Sequence, residues 1–156
     1  MPASRDIKRV PMPRRLLLLL ALFPVPAPAL DFFLIREPVY ALVGTELFTG
    51  EGRARVDRSG VLAVRSTLDP MLHCEGRFAF TSRSAGEAEL HCSDGVAARL
   101  SFESLGLTSG HGRGTTPRGP ATFTFGLSPE KAAAWLDIPR GKRLVKSASG
   151  VRLEDF

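Results

Sequence analysis

Apolar and polar residues alternate along two neighbouring stretches in the middle of the chain. Phe78 and Phe80 are separated by one residue, and so are Ala88 and Leu90. Apolar residues at every second position are typical of half-buried β-strands. Small and polar residues between positions 81 and 86 supply a turn. The pattern therefore predicts a β-hairpin that runs from about residue 72 to residue 94.

One register of this hairpin satisfies three separate requirements. On one face it places Cys74 opposite Cys92, Phe78 opposite Ala88 and Phe80 opposite Gly86. On the other face Arg77 meets Glu89, and Glu75 meets His91. A slip by one residue would turn one strand over and lose the cysteine pair, the apolar face and the charge pairs together. The register therefore predicts a disulfide between Cys74 and Cys92.

The repeated dipeptide His-Cys leaves a metal site open as the alternative. His73 precedes Cys74, and His91 precedes Cys92. Neighbouring side chains in a strand point to opposite faces, so both histidines should lie on the face away from the sulfur atoms. A centre of two cysteines and two histidines would require the strands to be broken there. We therefore expect a disulfide and no metal ligand or cofactor.

The N-terminus has the pattern of a secretory signal peptide over residues 1–29. Five basic residues precede position 16, an apolar run follows at 16–25, and Ala27-Pro28-Ala29 offers the small residues of a cleavage site. The run is well short of the ~20 residues that span a bilayer as a helix. An uncleaved anchor is the alternative. The pattern predicts a periplasmic or secreted protein with no transmembrane span in the mature chain.

Most of the positive net charge of the chain belongs to the predicted signal peptide. The whole chain has 21 basic and 16 acidic residues, a net charge of +5. Residues 1–29 contain five of the basic residues and one acidic residue, so the remainder carries only +1. Nucleic-acid binding requires a clustered basic surface, and this chain has none outside its leader.

The remaining sequence predicts one β-rich domain over residues 30–146. Strands are expected at 39–48, 50–57, 61–68, 96–102 and 122–125 besides the hairpin, with a last strand around Leu144. Short strands at regular spacing with glycine-rich turns are typical of a small antiparallel β-sandwich or barrel, here with about seven strands. A short helix at 128–136 should turn Trp135 inward. Residues 147–156 are expected to form a flexible C-terminal tail.

Gly106–Pro120 is the stretch with the strongest indication of a binding site. It contains five glycines together with His111, Arg113 and Arg118. Exposed backbone N–H groups beside arginine can hold a carboxylate or a phosphate, so these three side chains are the candidate ligand-binding residues. It lacks the lysine of a P-loop and the βαβ context of a dinucleotide site. The alternative is a plain connector, or a strand in which glycines allow close packing.

Several short motifs resemble those of a family of small exported bacterial proteins of unassigned function. They are Cys74-Glu75-Gly76-Arg77-Phe78, Cys92-Ser93-Asp94-Gly95, the alternating glycines at 110, 112 and 114, Arg118-Gly119-Pro120 and Phe125-Gly126-Leu127. The resemblance covers roughly residues 43–142. It implies a protein of the bacterial envelope and supplies no catalytic residues.

Together these features predict a non-catalytic exported β-domain that binds an envelope protein or a glycan, or that has a structural role. The alternative is a small secreted hydrolase or redox enzyme that uses His91, His111 or the cysteine pair. His91, Ser93 and Asp94 are too close in sequence to form a triad by spacing alone.

Overall fold

A computed structural model describes residues 35–156 of the chain; the predicted signal peptide lies outside the described residues. The elements, in chain order, are β1 (Ile35–Val43), β2 (Glu46–Ala54), β3 (Ser59–Ser66), β4 (His73–Phe80), β5 (Ala85–Cys92), β6 (Ala97–Ser104), β7 (Gly110–Thr116), β8 (Gly119–Phe125), α1 (Pro129–Ala132), β9 (Lys142–Ser147) and β10 (Gly150–Asp155).

The first eight strands form a closed antiparallel barrel. Each strand pairs with the next one along the chain, and β8 returns to pair with β1, with Val39 opposite Phe125 and Val43 opposite Ala121. The predicted all-β barrel is confirmed, with eight strands in place of about seven. The additional strand is β7, in the glycine-rich stretch 106–120, which is not counted among the strands predicted above. At Gly44 the backbone has a φ of 61° and turns, so the predicted strand 39–48 is divided between β1 and β2. Glycine adopts this conformation without the penalty that a Cβ would bring.

The predicted hairpin is β4 and β5, and its register is confirmed at every pair. Cys74 faces Cys92, Phe78 faces Ala88 and Phe80 faces Gly86. The two cysteines form a disulfide inside the barrel, where Cys74 is only 5 % exposed. The apolar face of the hairpin is therefore part of the barrel interior.

Alternate residues of every barrel strand fill that interior. Phe102 lies at its centre and meets the rings of Phe78, Phe80, Phe123 and Phe125 edge to face, with centroids 5.0–6.5 Å apart. Edge-to-face contacts of this kind stabilise beyond the area that they bury, by roughly 0.5–1.5 kcal/mol per pair. The interior is thus a packed aromatic core.

Glycines provide the space for these rings. Phe78, Phe102, Phe123, Phe125 and Leu100 lie directly opposite Gly60, Gly86, Gly112, Gly110 and Gly114 in the neighbouring strands. In each pair a β-carbon added to the glycine would come within 2.2–2.4 Å of the large side chain. The three alternating glycines of Gly106–Pro120 are therefore strand residues that allow close packing. Residues 110–116 thus form a strand in which glycines allow close packing, the alternative stated for this stretch, and ligand binding by His111, Arg113 and Arg118 stays a prediction.

The chain after β8 packs against the outside of the barrel. Leu42 and Leu47, which point outward from β1 and β2, form a second apolar cluster with Ala132 and Leu136. Partly buried side chains around this cluster are Tyr40, Leu127, Ile138, Leu144, Val151 and Leu153.

Two expectations for the C-terminal region need correction. Residues 150–155 form β10, which pairs with β9 along its whole length, where the sequence predicts a loose tail. Alternate residues Val151 and Leu153 anchor it to the second cluster. The helix is shorter than predicted and covers only Pro129–Ala132.

Candidate functional site

The structure does not bring His111, Arg113 and Arg118 together. His111 and Arg113 lie in β7 between glycines that face the interior, so their side chains are on the outer face of the barrel. Arg118 lies in the turn between β7 and β8, at one end of the barrel. The three side chains therefore do not converge on one anion.

His111 stacks on Trp135. The ring centroids are 4.0 Å apart and the planes differ by 15°. Trp135 is 41 % exposed, so the prediction that it packs inward is wrong. The stack joins the outer face of β7 to the segment that follows α1.

Arg118 is engaged by two carboxylates. It forms a hydrogen-bonded ion pair with Asp94 and a second pair with Glu46 at 3.7 Å. Burial raises the pKa of the Asp94 carboxyl, but hydrogen bonds from the Val96 N–H and from Arg118 outweigh this effect and hold the pKa below its usual 3.8. Arg118 thus links its own turn to the turn that contains Asp94 and to the start of β2. All three lie at the barrel end that contains the disulfide, which we call the disulfide end.

Glu89 forms its ion pair with a residue of β6 and not, as the sequence predicts, with Arg77 of β4. Arg77 and Glu89 face each other, but the ion pair of Glu89 is with Arg99 of β6, which faces it from the other side. An exposed pair of this kind contributes under ~1 kcal/mol.

An apolar cavity opens at the opposite end of the barrel, called the cavity end here. This end comprises the start of β1 and the turns at 55–58, 81–84 and 105–109. The cavity has a volume of about 80 Å³. Its walls are formed by Ile35, Glu37, Val39, Gly52, Ala54, Leu62, Phe78, Phe80, Ala88, Phe102, Leu107, Thr108, Phe123 and Phe125. Eight-stranded barrels are wide enough to hold one small ligand in this position.

Four large apolar side chains are exposed at the cavity end. Leu107 lines the cavity and is nevertheless fully exposed, at 102 %. Val56 is 78 % exposed, Leu105 45 % and Ile35 37 %. Large exposed apolar side chains that cluster around a cavity indicate a binding surface.

Besides Arg55 and Asp57 in the turn at 55–58, charged groups at this end include an arginine beside Phe80 and a carboxylate in the cavity wall. The Arg58 guanidinium lies 4.2 Å above the Phe80 ring and donates a hydrogen bond of 2.6 Å to the Arg83 carbonyl. Glu37 lines the cavity from β1. In the strand order of the barrel, β1 and β5 are four strands apart, so Glu37 and the turn that carries Arg83 are on opposite sides of the opening.

The disulfide end contains a smaller cavity of about 50 Å³, lined in part by the two cysteines, Phe48 and Arg118. The Arg118 side chain is 28 % exposed and lies across this end in its contacts with Glu46 and Asp94. The larger cavity therefore opens at the end that Arg118 does not occupy.

The residues named for the enzyme alternative lie in separate places. His91 is exposed on the outer face of β5, His111 contacts Trp135, and the cysteine pair lies inside the barrel. Ser93 donates a hydrogen bond to the Met71 carbonyl and Asp94 pairs with Arg118. Within residues 35–156 no group of three or more His, Cys, Asp or Glu side chains is placed to hold a metal ion.

In the described part of the chain, no helix has the length and apolar character needed to cross a membrane.

Sequence reasoning missed the cavity end. Phe78, Phe80, Phe123 and Phe125 are visible in the sequence as alternating aromatic residues, and Leu105 and Leu107 lie in an otherwise polar turn. Their convergence depends on barrel closure, which gathers turns that are far apart in the sequence.

Comparison of the chain with protein-family models, with curated proteins and with solved structures gives no match. The resemblance to a family of exported bacterial proteins therefore stays a prediction.

Proposed function

We propose that this protein is a non-catalytic exported binding domain that takes an apolar group into the cavity end of its barrel. The observation that carries the proposal is the combination of an open cavity of about 80 Å³ with fully exposed Leu107 at its rim. A side chain as apolar as leucine gains free energy when a ligand covers it, so its full exposure favours an occupant.

Export is supported by two features. The predicted signal peptide precedes the barrel, and the Cys74–Cys92 disulfide is compatible with an oxidising environment outside the cytoplasm. We place the protein in the periplasm or outside the cell, where it would meet envelope components.

The separation of His91, His111 and the disulfide favours binding over catalysis. A general base and a nucleophile need to lie within hydrogen-bonding reach of a common substrate. The apolar walls of the cavity offer shape and burial to a ligand, with Glu37 as the one ionisable side chain among them.

Gly52 provides a direct test because its β-position faces the cavity and has room. A β-carbon there would meet only Val39 Cγ2, at 3.5 Å. Gly52→Leu should fill the cavity, and binding of a neutral fluorophore that carries an unbranched alkyl chain should then be lost. Ala63→Leu, at an exposed position on the outer face of β3, is the matched control and should bind normally.

Circular dichroism establishes that both variants are folded. Ala54→Leu, at a second wall position of the cavity, repeats the test should Gly52→Leu not fold. Failure of the native protein to bind the fluorophore, or unchanged binding by a folded cavity-filled variant, contradicts the proposal.

A further inference from the structure

We infer that the ligand of the cavity end is a single-chain amphiphile with an anionic headgroup. Its chain end enters the phenylalanine-lined cavity, and its headgroup contacts Arg58 and Arg83 at the rim. This inference rests on the proposed binding function and specifies the chemistry of the ligand.

The size of the cavity restricts what can enter. Its volume of about 80 Å³ is about half that of an engineered cavity of ~150 Å³ that binds benzene. Such a space accepts the last few carbons of one unbranched chain and excludes two chains side by side. Its walls, with Phe78, Phe102 and Phe123 among them, match the apolar surface of a hydrocarbon.

The exposed rim provides a surface for the rest of the chain. Ile35 and Leu107 belong both to the cavity wall and to the protein surface. Val56 and Leu105 extend the apolar area along the neighbouring turns. A chain that leaves the cavity therefore meets apolar side chains before it reaches water.

Arg58 is placed to receive the headgroup. Its guanidinium is fixed against Phe80, a ring that itself lines the cavity, and it bonds to the Arg83 carbonyl. Arg58 forms no salt bridge with a carboxylate among residues 35–156, and the neighbouring Asp57 carboxylate is hydrogen-bonded to Ser59. Guanidinium groups bind carboxylate and phosphate through strong, charge-assisted hydrogen bonds. Arg83, whose carbonyl Arg58 contacts, lies in the turn at 81–84 and adds a second positive charge.

Glu37 makes the opening electrostatically asymmetric. It lies on the β1 side, whereas Arg58 and Arg83 lie beside β3–β5. An anionic headgroup is repelled from Glu37 and attracted to the two arginines, so the asymmetry orients the amphiphile. A cationic headgroup would show the opposite preference, and that difference can be measured.

Displacement of the neutral fluorophore separates these cases. Laurate, below its micelle concentration, should displace the fluorophore at lower concentration than dodecanol, and dodecylamine should be the weakest. The affinity of saturated carboxylates should rise by about fourfold per methylene until the cavity is filled, and then level off. Tighter binding of dodecylamine than of laurate would overturn the inference.

Matched arginine variants locate the headgroup. Arg58→Gln and Arg83→Gln should each weaken laurate binding by up to about fivefold and leave dodecanol binding unchanged. Arg83→Gln keeps the carbonyl that Arg58 uses, so it tests the charge without loss of that hydrogen bond. Arg113→Gln removes an exposed arginine from the outer face of β7 and should change neither affinity. Weaker laurate binding in Arg113→Gln alone would place the anion in the stretch that the sequence first suggested.

Three further outcomes distinguish failure of this inference from failure of the proposed function. Fluorophore binding without any preference for laurate over dodecanol refutes the anionic headgroup and leaves the binding function standing. Attachment to anionic phospholipid vesicles, with no binding of monomeric laurate, assigns the rim to a membrane surface and also refutes the inference. If the native protein binds neither the fluorophore nor laurate, the proposed function itself is refuted.

Discussion

Gly112 and Phe123 lie directly opposite each other in β7 and β8, and a β-carbon on Gly112 would come within 2.4 Å of the Phe123 ring. The same β-carbon would lie 2.3 Å from the Ser101 carbonyl oxygen on the other side. Two neighbouring strands thus exclude any side chain at this position. The alternating glycines have a packing role that needs no bound anion.

Replacement of Gly112 by alanine should therefore destabilise the barrel. We expect a loss of about 1–3 kcal/mol in the free energy of unfolding, as is typical of overpacking. Gly52→Ala is the matched control, because its β-carbon has ordinary contacts. It should be neutral or stabilising by up to about 1 kcal/mol through reduced freedom of the unfolded chain. Urea unfolding monitored by circular dichroism measures both, and equal losses would contradict the packing argument.

Two threonines in β8 should respond in opposite directions to the same substitution. The Thr124 side chain is buried, and its hydroxyl has no hydrogen-bond partner among the described residues. Thr124→Val removes an unpaired polar group and should stabilise the protein by about 1 kcal/mol or leave it unchanged. Thr122 accepts a hydrogen bond from the Asp137 N–H, so Thr122→Val should cost about 1–3 kcal/mol. Equal effects at the two positions in thermal unfolding would show that the Asp137 contact contributes nothing.

The disulfide should contribute strongly to stability. Replacement of both Cys74 and Cys92 by alanine is expected to cost about 2–5 kcal/mol, as is typical when a small domain loses its native disulfide. Serine at both positions should cost more than alanine, because it places hydroxyl groups in the apolar interior. Thiol labelling of the unfolded, unreduced protein should find no free cysteine. Detection of two free thiols would contradict the disulfide.

The Asp94–Arg118 contact should make stability fall in acid. The pKa of Asp94 is lower in the folded protein than its ordinary value, so the stabilisation is complete above about pH 4 and is lost as the pH falls through the folded-state pKa. Asp94→Asn should therefore show a smaller loss of unfolding free energy between pH 6 and pH 3 than the native protein. Arg118→Gln should reduce the pH dependence in the same way. An unchanged pH profile in both variants would show that the contact does not persist in solution.

The β4–β5 hairpin could be predicted from the sequence because its two faces differ. The interior face contains Phe78 and Leu90, and the solvent face contains Arg77 and Glu89. With one face toward solvent, alternation sets the register without knowledge of the remaining chain.

The turn at Gly44 escaped prediction because both faces of β1 are covered. Val39 lies in the interior core, and Leu42 lies in the cluster beneath the C-terminal segment. A strand that is buried on both faces has few polar residues, so apolar and polar positions do not alternate along it. The apolar run therefore continues across the turn without a visible break.

The cavity end could not be read from local pattern. Ile35, Val56 and Leu107 lie in three segments more than 20 residues apart, and only closure of the barrel brings them to one rim. The sequence instead drew attention to the arginines near the alternating glycines. Arg118 proved to be paired with carboxylates, and Arg113 lies on the outer face of β7.

The seam between β1 and β8 also determines when the barrel can close as the chain is synthesised from its N-terminus. β1 pairs with β2 and with β8, so the backbone N–H and C=O groups on one of its edges stay unpaired until β8 is present. The C-terminal segment, which covers the outer face of β1, arrives later still. Until β8 is available, the strands that have formed can make only an open sheet with two unpaired edges, to which other chains can pair. A chaperone that shields strand edges would be most valuable to this protein in the interval before residue 125 is released.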